Sequence, residues 1–204
     1  MIKFQYNKTS LGELDKQLKM RRRALPTIKS KESALRGEVK KAKNTAEDFQ
    51  QQLDELTERY DYMTALWGEF DPELVRIEDV KLGEGKIAGV RIPVLHEVVF
   101  SEKEYDLFSS PAWLADGVEL VKKIGNLMVE AEVFAYKTEL LDRARKKTTQ
   151  KVNLYEKVQI PGYEEAIRKI KRFLEDEENL EKSAQKIVKQ KHERAEKAER
   201  RAAV

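Results

Sequence analysis

The chain contains no cysteine, only five prolines and nine glycines among its 204 residues, and just 8% aromatic residues. Without cysteine it cannot form a disulfide, which favours a reducing compartment. So few helix breakers and so few aromatics argue against a compact domain with a large core. No segment has the roughly 18 uncharged apolar residues that cross a bilayer, and the first residues lack a signal-peptide core. We therefore expect a soluble, intracellular protein.

Charge is abundant and unevenly distributed along the chain. Charged residues make up 38% of the sequence, and the small net charge of +3 hides three segments of different sign. Residues 1–46 have a net charge of +9, residues 47–130 of −11 and residues 131–204 of +5. About half of the residues are Ala, Glu, Lys, Leu or Arg, a composition typical of long exposed helices and coiled coils. We therefore expect two basic helical arms joined by an acidic middle.

The first arm has the spacing of a coiled-coil helix. Packing positions recur in steps of three and four through Leu11, Leu14, Leu18, Arg21, Leu25, Ile28, Glu32, Leu35, Val39, Ala42, Ala46, Phe49, Leu53, Leu56, Tyr60, Met63 and Trp67. Only Arg21 and Glu32 break the apolar pattern, which is that of the a and d positions of a heptad repeat. The pattern predicts one helix of about 85 Å, at ~1.5 Å per residue. Ser10 with Glu13 resembles a capping box at its start, and Gly68 marks its end.

The second arm has the same spacing, interrupted once. Ser110-Pro111 is predicted to open it, and its packing positions are Leu120, Ile124, Leu127, Ala131, Phe134, Thr138, Leu141, Arg145, Thr148, Val152 and Tyr155. The spacing resumes beyond Pro161 at Ala166, Ile170, Phe173, Glu177, Leu180, Ala184 and Ile187. Pro26 in the first helix, and Pro161 and Gly162 in the second, are predicted to bend these helices.

The segment between the arms has the composition of a β-hairpin. Its β-branched residues surround the sequence "GEGK" at 83–86, which we take as the turn. They are Val75, Ile77, Val80, Ile87, Val90, Ile92, Val94, Val98 and Val99. Pro93 would confine its strand to a sheet edge or a bulge.

The predicted fold is therefore mainly α: a long antiparallel two-helix coiled coil with a small central β-hairpin and a short helical foot. We divide it into an N-terminal helix (1–67), a central region with the hairpin (68–116) and a C-terminal helix (117–204), which together form one elongated domain. If the helix tips are level, Leu11 lies near residue 199 and Trp67 near residue 143. The same alignment places Phe49 opposite Gly162, where its ring would fill the space left by the glycine.

No group of residues has the pattern of a catalytic, cofactor or metal site. The sequence "GEGKIAG" has Ile87 where a phosphate loop needs Ser or Thr, and a strand rather than a helix is predicted to follow. The two histidines, His96 and His192, are far apart in the predicted fold, and no cysteine is present to complete a metal site. The carboxylates fall mostly on solvent-facing helix positions.

Two basic clusters, "KMRRRA" at 19–24 and "RARKKTTQK" at 143–151, are the clearest candidates for partner contacts. Either could neutralise nucleic-acid phosphates, but no DNA-binding motif accompanies them. They could also form a solvated face, or bind an acidic protein surface. We favour the acidic protein surface.

Three segments resemble the D subunit of V/A-type ATPases and ATP synthases. "TTQKVNLYEKVQIPGYEEAI" is similar to that family's T-x-R-R-V-N-A-L-E-x-V-x-I-P-x-x-E-x-x-I stretch. The matching positions are Thr149, Val152, Asn153, Leu154, Glu156, Val158, Ile160, Pro161, Glu164 and Ile167. "IAGVRIPVL" at 87–95 resembles the family's central strand, and "LKMRRRALPTIKSKESAL" its N-terminal helix. The matches cover most of the chain in the family's order, although Pro26 falls where the family usually continues its helix.

The resemblance implies the central rotor shaft of a rotary ATPase, which transmits torque between the catalytic A/B hexamer and the membrane ring that translocates protons or sodium ions. It implies a non-catalytic, cofactor-free cytoplasmic subunit that is peripheral to the membrane. The expected partners are the A and B subunits, the small F stalk subunit and the funnel-like subunit that joins the stalk to the membrane ring. The resemblance also implies that Pro161-Gly162 lies within one continuous helix.

Two sets of residues are expected to make these contacts. Contacts with the catalytic hexamer are expected from Lys19, Arg21, Arg22, Arg23, Lys29, Lys186 and Lys189. Contacts with stalk partners are expected from Ile87, Val90, Ile92, Val94 and Leu95. The alternatives are a freestanding coiled-coil tether or adaptor and, less favoured, a basic coiled coil that binds nucleic acid.

Overall fold

A computed structural model of the chain describes residues 2–106 and 110–202. The protein is mainly helical (75%), with two long helical segments and an antiparallel two-stranded hairpin between them. In chain order the elements are helix α1 (Lys8–Tyr60), a 3-10 turn (Asp61–Met63), helix α2 (Thr64–Trp67), strands β1 (Val75–Ile87) and β2 (Val90–Glu102), helix α3 (Trp113–Asn153), a π-helical segment (Leu154–Gln159) and helix α4 (Ile160–Ala202). The predicted fold class is confirmed. None of the described helices is long and apolar enough to span a membrane.

The chain divides into two compact units, and α1 contributes to both. The first unit comprises Met1–Ile28 and Gln150–Val204. Its core is formed by Leu14 from α1 with Ala166 and Ile170 from α4, all at most 7% exposed. The segment before α1 also packs on α4, where the Tyr6 ring lies 4.9 Å from that of Phe173. Burial of this narrow apolar strip is what holds the helices of this unit together.

The second unit, Lys29–Thr149, contains the remaining part of α1, the hairpin and α3. Leu35 and Ala42 of α1 form its first core with Leu141 of α3 and Ile92 of β2. Further along α1 the Phe49 ring contacts that of Phe134 at 5.4 Å. Because the α3 partner moves to lower numbers as the α1 position rises, α1 and α3 are antiparallel. A second core, formed by Leu74, Val75, Leu114 and Val118, lies at the open end of the hairpin.

The hairpin turns at Ala88-Gly89, not at the "GEGK" sequence that we predicted. Ala88 has φ 48° and Gly89 φ 79°, while residues 83–86 are paired within β1. Positive φ at both central residues is the pattern of the type I′ two-residue turn, whose geometry follows the twist of the strands. Pro93 pairs with Glu84 on β1. In a two-stranded sheet both strands are edges, so Pro93 occupies an edge strand as predicted.

The glycines that suggested a turn make room for side chains across the sheet. A Cβ at Gly83 would collide with the imidazole of His96, and one at Gly85 would lie 2.9 Å from Cγ2 of Val94. Both are strand positions where a larger side chain would require the neighbouring side chain to shift. Composition alone does not distinguish a glycine of this kind from a turn glycine.

Helix α1 begins with an Asn7 cap, and the predicted Ser10–Glu13 capping box is wrong. The helix starts at Lys8, and the Ser10 N–H donates to Asn7 Oδ1 at 2.7 Å. Ser10 is thus the third helical residue, and Asn7 satisfies its otherwise unpaired N–H. At the other end, Gly68 follows α2 as predicted. Helix α3 begins at Trp113, two residues after the predicted Ser110-Pro111 start.

The helices do not pair with their tips level, so the register that we predicted is wrong. Leu11 packs beside Ala166 and Ile170 rather than near residue 199. The Trp67 ring contacts the Phe70 ring, and Phe70 packs against the core that contains Leu114 and Val118. Trp67 therefore lies beside this core and not near residue 143. Phe49 faces Phe134, and the space beside Gly162 is taken by Ile2. The prediction of level helix tips did not take the hairpin into account. Its packing against α1 and α3 sets the register in the second unit.

Two Gly→Ala substitutions should change stability in opposite directions. The Gly89→Ala variant is expected to have a free energy of unfolding about 1 kcal/mol lower than the parent, because the Ala must keep a left-handed backbone. Gly12 lies inside α1 with open space around its Cα, so Ala should stabilise it by about 0.5–1 kcal/mol. Denaturant midpoints of the two variants and the parent test both. A gain in stability for Gly89→Ala would contradict the turn assigned here.

Candidate interaction surfaces

The N-terminal basic cluster is partly engaged within its own unit. Arg21 is half-buried, and its Nε donates to Gln159 Oε1 at 2.7 Å. Arg22 Nη2 contacts Glu164 Oε1 at 2.6 Å across the helix pair. Lys19 pairs with Asp15 along α1 at 2.7 Å, and Arg23 is exposed. The predicted cluster thus combines side chains that bind α4 or its preceding turn with side chains that point to solvent.

The solvent-facing part forms a surface that we call the basic face: Lys16, Lys19, Met20 and Arg23. These residues, with Ala24, line a shallow depression on α1. Met20 is 56% exposed, so the face combines cationic groups with an apolar one. Sequence reasoning missed Lys16 and Met20, although their spacing of three to four residues from Lys19 and Arg23 places them on one helix face.

Three of the five basic residues in the second basic cluster, 143–151, pair with two neighbouring carboxylates on α3. Arg143 pairs with Glu139, and both Arg145 and Lys146 contact Asp142 at 2.7 and 2.9 Å. Hydrogen bonds from Lys146 and Arg145 hold the pKa of Asp142 below its ordinary value. Helical i,i+3 and i,i+4 pairs account for the sequence pattern here, so this cluster offers a weaker site for an external anion.

Glu32 breaks the apolar pattern of α1 because it bonds across to α3. Its Oε1 accepts hydrogen bonds from Thr149 Oγ1 at 3.0 Å and from Arg36 at 2.8 Å. The Arg36 hydrogen bond lowers the pKa of Glu32 most, burial opposes this, and the Thr149 hydrogen bond lowers it further. Only 15% of the Glu32 side chain is exposed, which strengthens these bonds relative to surface ones. Lys29, one turn earlier, lies on the exposed side of α1.

The end of α4 exposes an apolar row that the repeat predicted to be paired. Leu180 is 72% exposed, and Ile187 and Val188 are 55% and 54% exposed. We call these three residues the tail stripe; Lys186 and Lys189 lie beside it and are exposed. The core of the first unit includes α4 residues up to Leu174, so the tail stripe lies beyond that core. The expectation that this part of the repeat is packed within the chain is therefore wrong.

The hairpin residues expected to contact stalk partners differ widely in exposure. Ile92 is only 5% exposed, and Ile87 and Val90 pack with it against the core of Leu35 and Leu141. Leu95 is half-buried, whereas Val94 is 40% exposed. Val94 therefore presents more side-chain surface to a partner than Ile92 does. Leu82, which pairs with Leu95 and is 53% exposed, was not singled out from the sequence.

A groove lies between β2 and α3. Its volume is about 290 Å³, with strand residues 93–98 on one side and Asn126, Glu130 and Val133 on the other. Val94 and Leu95 line this groove, and next to it Lys81 and Glu97 form a cross-strand ion pair of 2.7 Å. A lining that combines apolar side chains with polar and charged ones suits a protein segment as ligand.

The predicted bend positions lie in continuous helices. Pro26 is exposed inside α1, which runs unbroken from Lys8 to Tyr60. Pro161 and Gly162 are the second and third residues of α4, directly after the π-helical segment. The chain therefore continues through Pro161, as expected, and the bend angles at these prolines stay predictions. Within residues 2–106 and 110–202 no three His, Cys, Asp or Glu side chains are grouped as metal ligands would be.

Comparison with known proteins gives consistent results. The family model that describes the D subunit of ATP synthases matches residues 10–190. A protein of Borreliella burgdorferi named as the D subunit of a V-type ATP synthase is 30% identical over 191 residues, which cover 93% of this chain and 95% of that protein. Proteins of the same name from Chlamydia muridarum and Chlamydia caviae are 27% and 28% identical, over 82% and 84% of this chain and 85% and 87% of their own lengths.

The bond network of Glu32 predicts a pH-dependent loss in a Glu32→Gln variant. A lowered folded-state pKa stabilises the protein above the ordinary value of 4.5, and this contribution disappears as pH falls through the folded pKa. The free energy of unfolding of the variant should be about 1 kcal/mol lower than that of the parent at pH 7, and the difference should be smaller at pH 3. Urea midpoints at both pH values measure this, with Glu38→Gln as control because Glu38 contacts Lys41 within the same helix. An equal loss at both pH values would exclude a role for the carboxylate charge.

Proposed function

The chain belongs to the family of ATP synthase D subunits, and we propose that it is the central rotor shaft of a V/A-type rotary ATPase or ATP synthase. The family match over residues 10–190 is the observation that carries this proposal. Two helices paired along an apolar seam suit such a role, because interdigitated side chains resist sliding and twisting. The chain supplies no catalytic residue and no cofactor in this proposal. It lies at the membrane periphery as part of the complex.

The catalytic A/B hexamer is the proposed partner of the basic face and of the tail stripe with its lysines. Lys19, Arg23, Lys29, Lys186 and Lys189 carry this contact, supported by their exposure. A sleeve lined with acidic groups would offset the positive charge of both arms over a Debye length of about 8 Å. Electrostatic contact of this kind varies gently with angle, which suits a shaft that turns. Arg21 and Arg22 contribute less, since both are engaged within the first unit.

The hairpin and its groove are the proposed site for the small F stalk subunit. Val94 and Leu95 line the groove, and Leu82 adds exposed apolar surface. Ile87, Val90 and Ile92 support this surface from the buried side. The end of the second unit that contains α2 and the start of α3 then seats on the funnel-like subunit that joins the stalk to the membrane ring.

The proposal is tested first by copurification at native expression. A tagged chain should bring down ATPase A and B subunits and the small stalk subunit. Unrelated proteins alone would identify a freestanding adaptor, and polynucleotide released by salt would identify a nucleic-acid binder; either result would exclude the shaft assignment.

Charge reversal of the basic face should weaken assembly with the hexamer. In a Lys16→Glu, Lys19→Glu, Arg23→Glu variant we expect at least a tenfold loss of affinity at low salt, which shrinks as salt rises. Arg21 and Arg22 are left unchanged so that the helix pair keeps its own contacts. The matched control reverses Lys31, Lys40 and Lys43, three exposed lysines of α1 in the second unit. Equal affinity of the basic-face variant and the parent across the salt series would show that the face is only solvated.

A charge on the exposed side of the hairpin should weaken capture of the small stalk subunit. Leu82→Asp is expected to lose about tenfold in affinity while retaining the helical content of the parent, because Leu82 is exposed. Ile92→Asp, by contrast, should lose folded hairpin, since it places a charge in the buried core. The affinity of each variant for the purified stalk subunit is measured. Leu180→Asp, which lies outside the second unit, serves as the control. Undiminished binding by folded Leu82→Asp would move the site away from this face.

A further inference from the structure

The packing positions of α1 recur at an unbroken interval of seven. Leu14, Arg21, Ile28, Leu35, Ala42, Phe49 and Leu56 are each seven residues apart. Leu14, Leu35, Ala42 and Leu56 are all at most 7% exposed. One long heptad series thus keeps the same face of α1 buried, without insertions. Arg21 occupies a position of this series although its side chain is charged.

The helical segment from α3 to α4 has the same series with one residue too many. Phe134, Leu141, Thr148 and Tyr155 are seven residues apart. The next packing residue is Tyr163, eight residues after Tyr155, and Ile170 follows after seven. In a straight α-helix this extra residue would rotate every later side chain by about 100° around the axis, since a turn contains 3.6 residues.

The π-helical segment lies inside that eight-residue interval. It spans Leu154–Gln159, and after it the Ile160 N–H donates to the Tyr155 carbonyl oxygen, five residues back. A π-helical turn holds one residue more than an α-turn, so it absorbs the extra residue and returns Tyr163 and Ile170 to the packed face. Pro161 directly follows and has no N–H to donate, so the α-helical ladder is already weakened at this point.

Arg21 contacts the beginning, the middle and the end of the same interval. Its guanidinium carbon lies 5.9 Å from the centroid of the Tyr155 ring and 4.6 Å from that of Tyr163. Its Nε donates to Gln159 Oε1 at 2.7 Å. Its Nη1 donates to the carbonyl oxygen of Gln17, 3.2 Å away, and to the Gln17 side chain, which orients the group from its own helix. Cation–π and charged hydrogen bonds in a half-buried site are stronger than at the surface.

We propose that Arg21 is a positioning residue that keeps the extra residue of the C-terminal helical segment between Tyr155 and Tyr163. Without it the π-turn moves towards the C-terminus, to a later turn of α4. Residues between the old and the new position of the π-turn then rotate by about 100° around the helix axis. At each packing position in between, the side chain of the adjacent residue then faces α1. The Arg21 site therefore determines which residues at the beginning of α4 face α1 in the first unit. This inference concerns the isolated chain and does not depend on the proposed function.

The native absence of cysteine allows a direct test of which α4 residue faces α1. Arg22 and Glu164 meet across the helix pair at 2.6 Å, and Glu165 is the next residue along α4. Two full-length variants, Arg22→Cys with Glu164→Cys and Arg22→Cys with Glu165→Cys, are treated with a short bifunctional maleimide. With Arg21 present, the 164 pair should crosslink several-fold faster than the 165 pair.

Replacing Arg21 by Leu should reduce that preference at least threefold, although Leu suits a heptad position. The matched control is Arg23→Leu, which removes an exposed arginine two residues away and should leave the preference unchanged. Gln159→Met removes only the hydrogen-bond acceptor and should reduce the preference about twofold; it provides the test if the Arg21 variant loses helical content. An unchanged preference in folded Arg21→Leu or, failing that, in folded Gln159→Met would overturn the proposal.

Deletion of the extra residue gives an independent test. Removing the exposed Lys157 shortens the interval from eight to seven residues and makes the helix heptad continuous. In the Arg21→Leu background the deletion should restore the crosslinking preference at the residue equivalent to Glu164. In the parent it should lower the melting temperature, because Arg21 then loses its arrangement with both rings. A deletion that raises the melting temperature of both backgrounds equally would show that Arg21 does not hold the π-turn.

Discussion

A pair of packed helices must present a side chain to the same face at every seventh residue, and most of this structure depends on that requirement. Such a seam buries single side chains rather than a broad core. The buried clusters are accordingly small: Leu35 and Leu141 belong to one of four residues, and Ile170 to one of three. Polar and charged groups therefore remain on most of the surface, which explains a chain that is more than one-third charged yet folded.

The polar members of the seam contribute what apolar contacts alone provide poorly, namely a defined register. Leu-rich seams tolerate slippage by a heptad, because one apolar layer resembles the next. Glu32 has its Thr149 partner at only one alignment of α1 and α3. Arg21 similarly has its two tyrosine rings and Gln159 at only one alignment within the first unit. These residues interrupt the apolar pattern and at the same time make the pairing specific.

The surfaces that helix pairing does not bury are available to partners. The hairpin uses Ile92 to cover the helices and leaves Leu82 and Val94 partly exposed. The tail stripe on α4 leaves apolar side chains in solvent between lysines. Isolated exposed apolar residues are ordinary, but rows of them beside charged groups are a feature of interaction sites. The shaft proposal assigns a partner to each surface without requiring any chemistry from the chain itself.

Local patterns in the chain were enough to predict the fold class, the two long helices and the hairpin, because the heptad period and the β-branched segment can be seen without knowing what lies opposite. The segment around Pro161, "TTQKVNLYEKVQIPGYEEAI", also resembles the family's motif. The register, the turn at Ala88-Gly89 and the Asn7 cap became clear only in the folded molecule. The cap is local, but Asn7 and Ser10 are both common capping types, and only the Ser10 N–H bond to Asn7 distinguishes them. The register and the turn depend on which strand and helix residues lie opposite one another. The same holds for Arg21 against Tyr155 and Tyr163, because only folding brings together residues so distant along the chain.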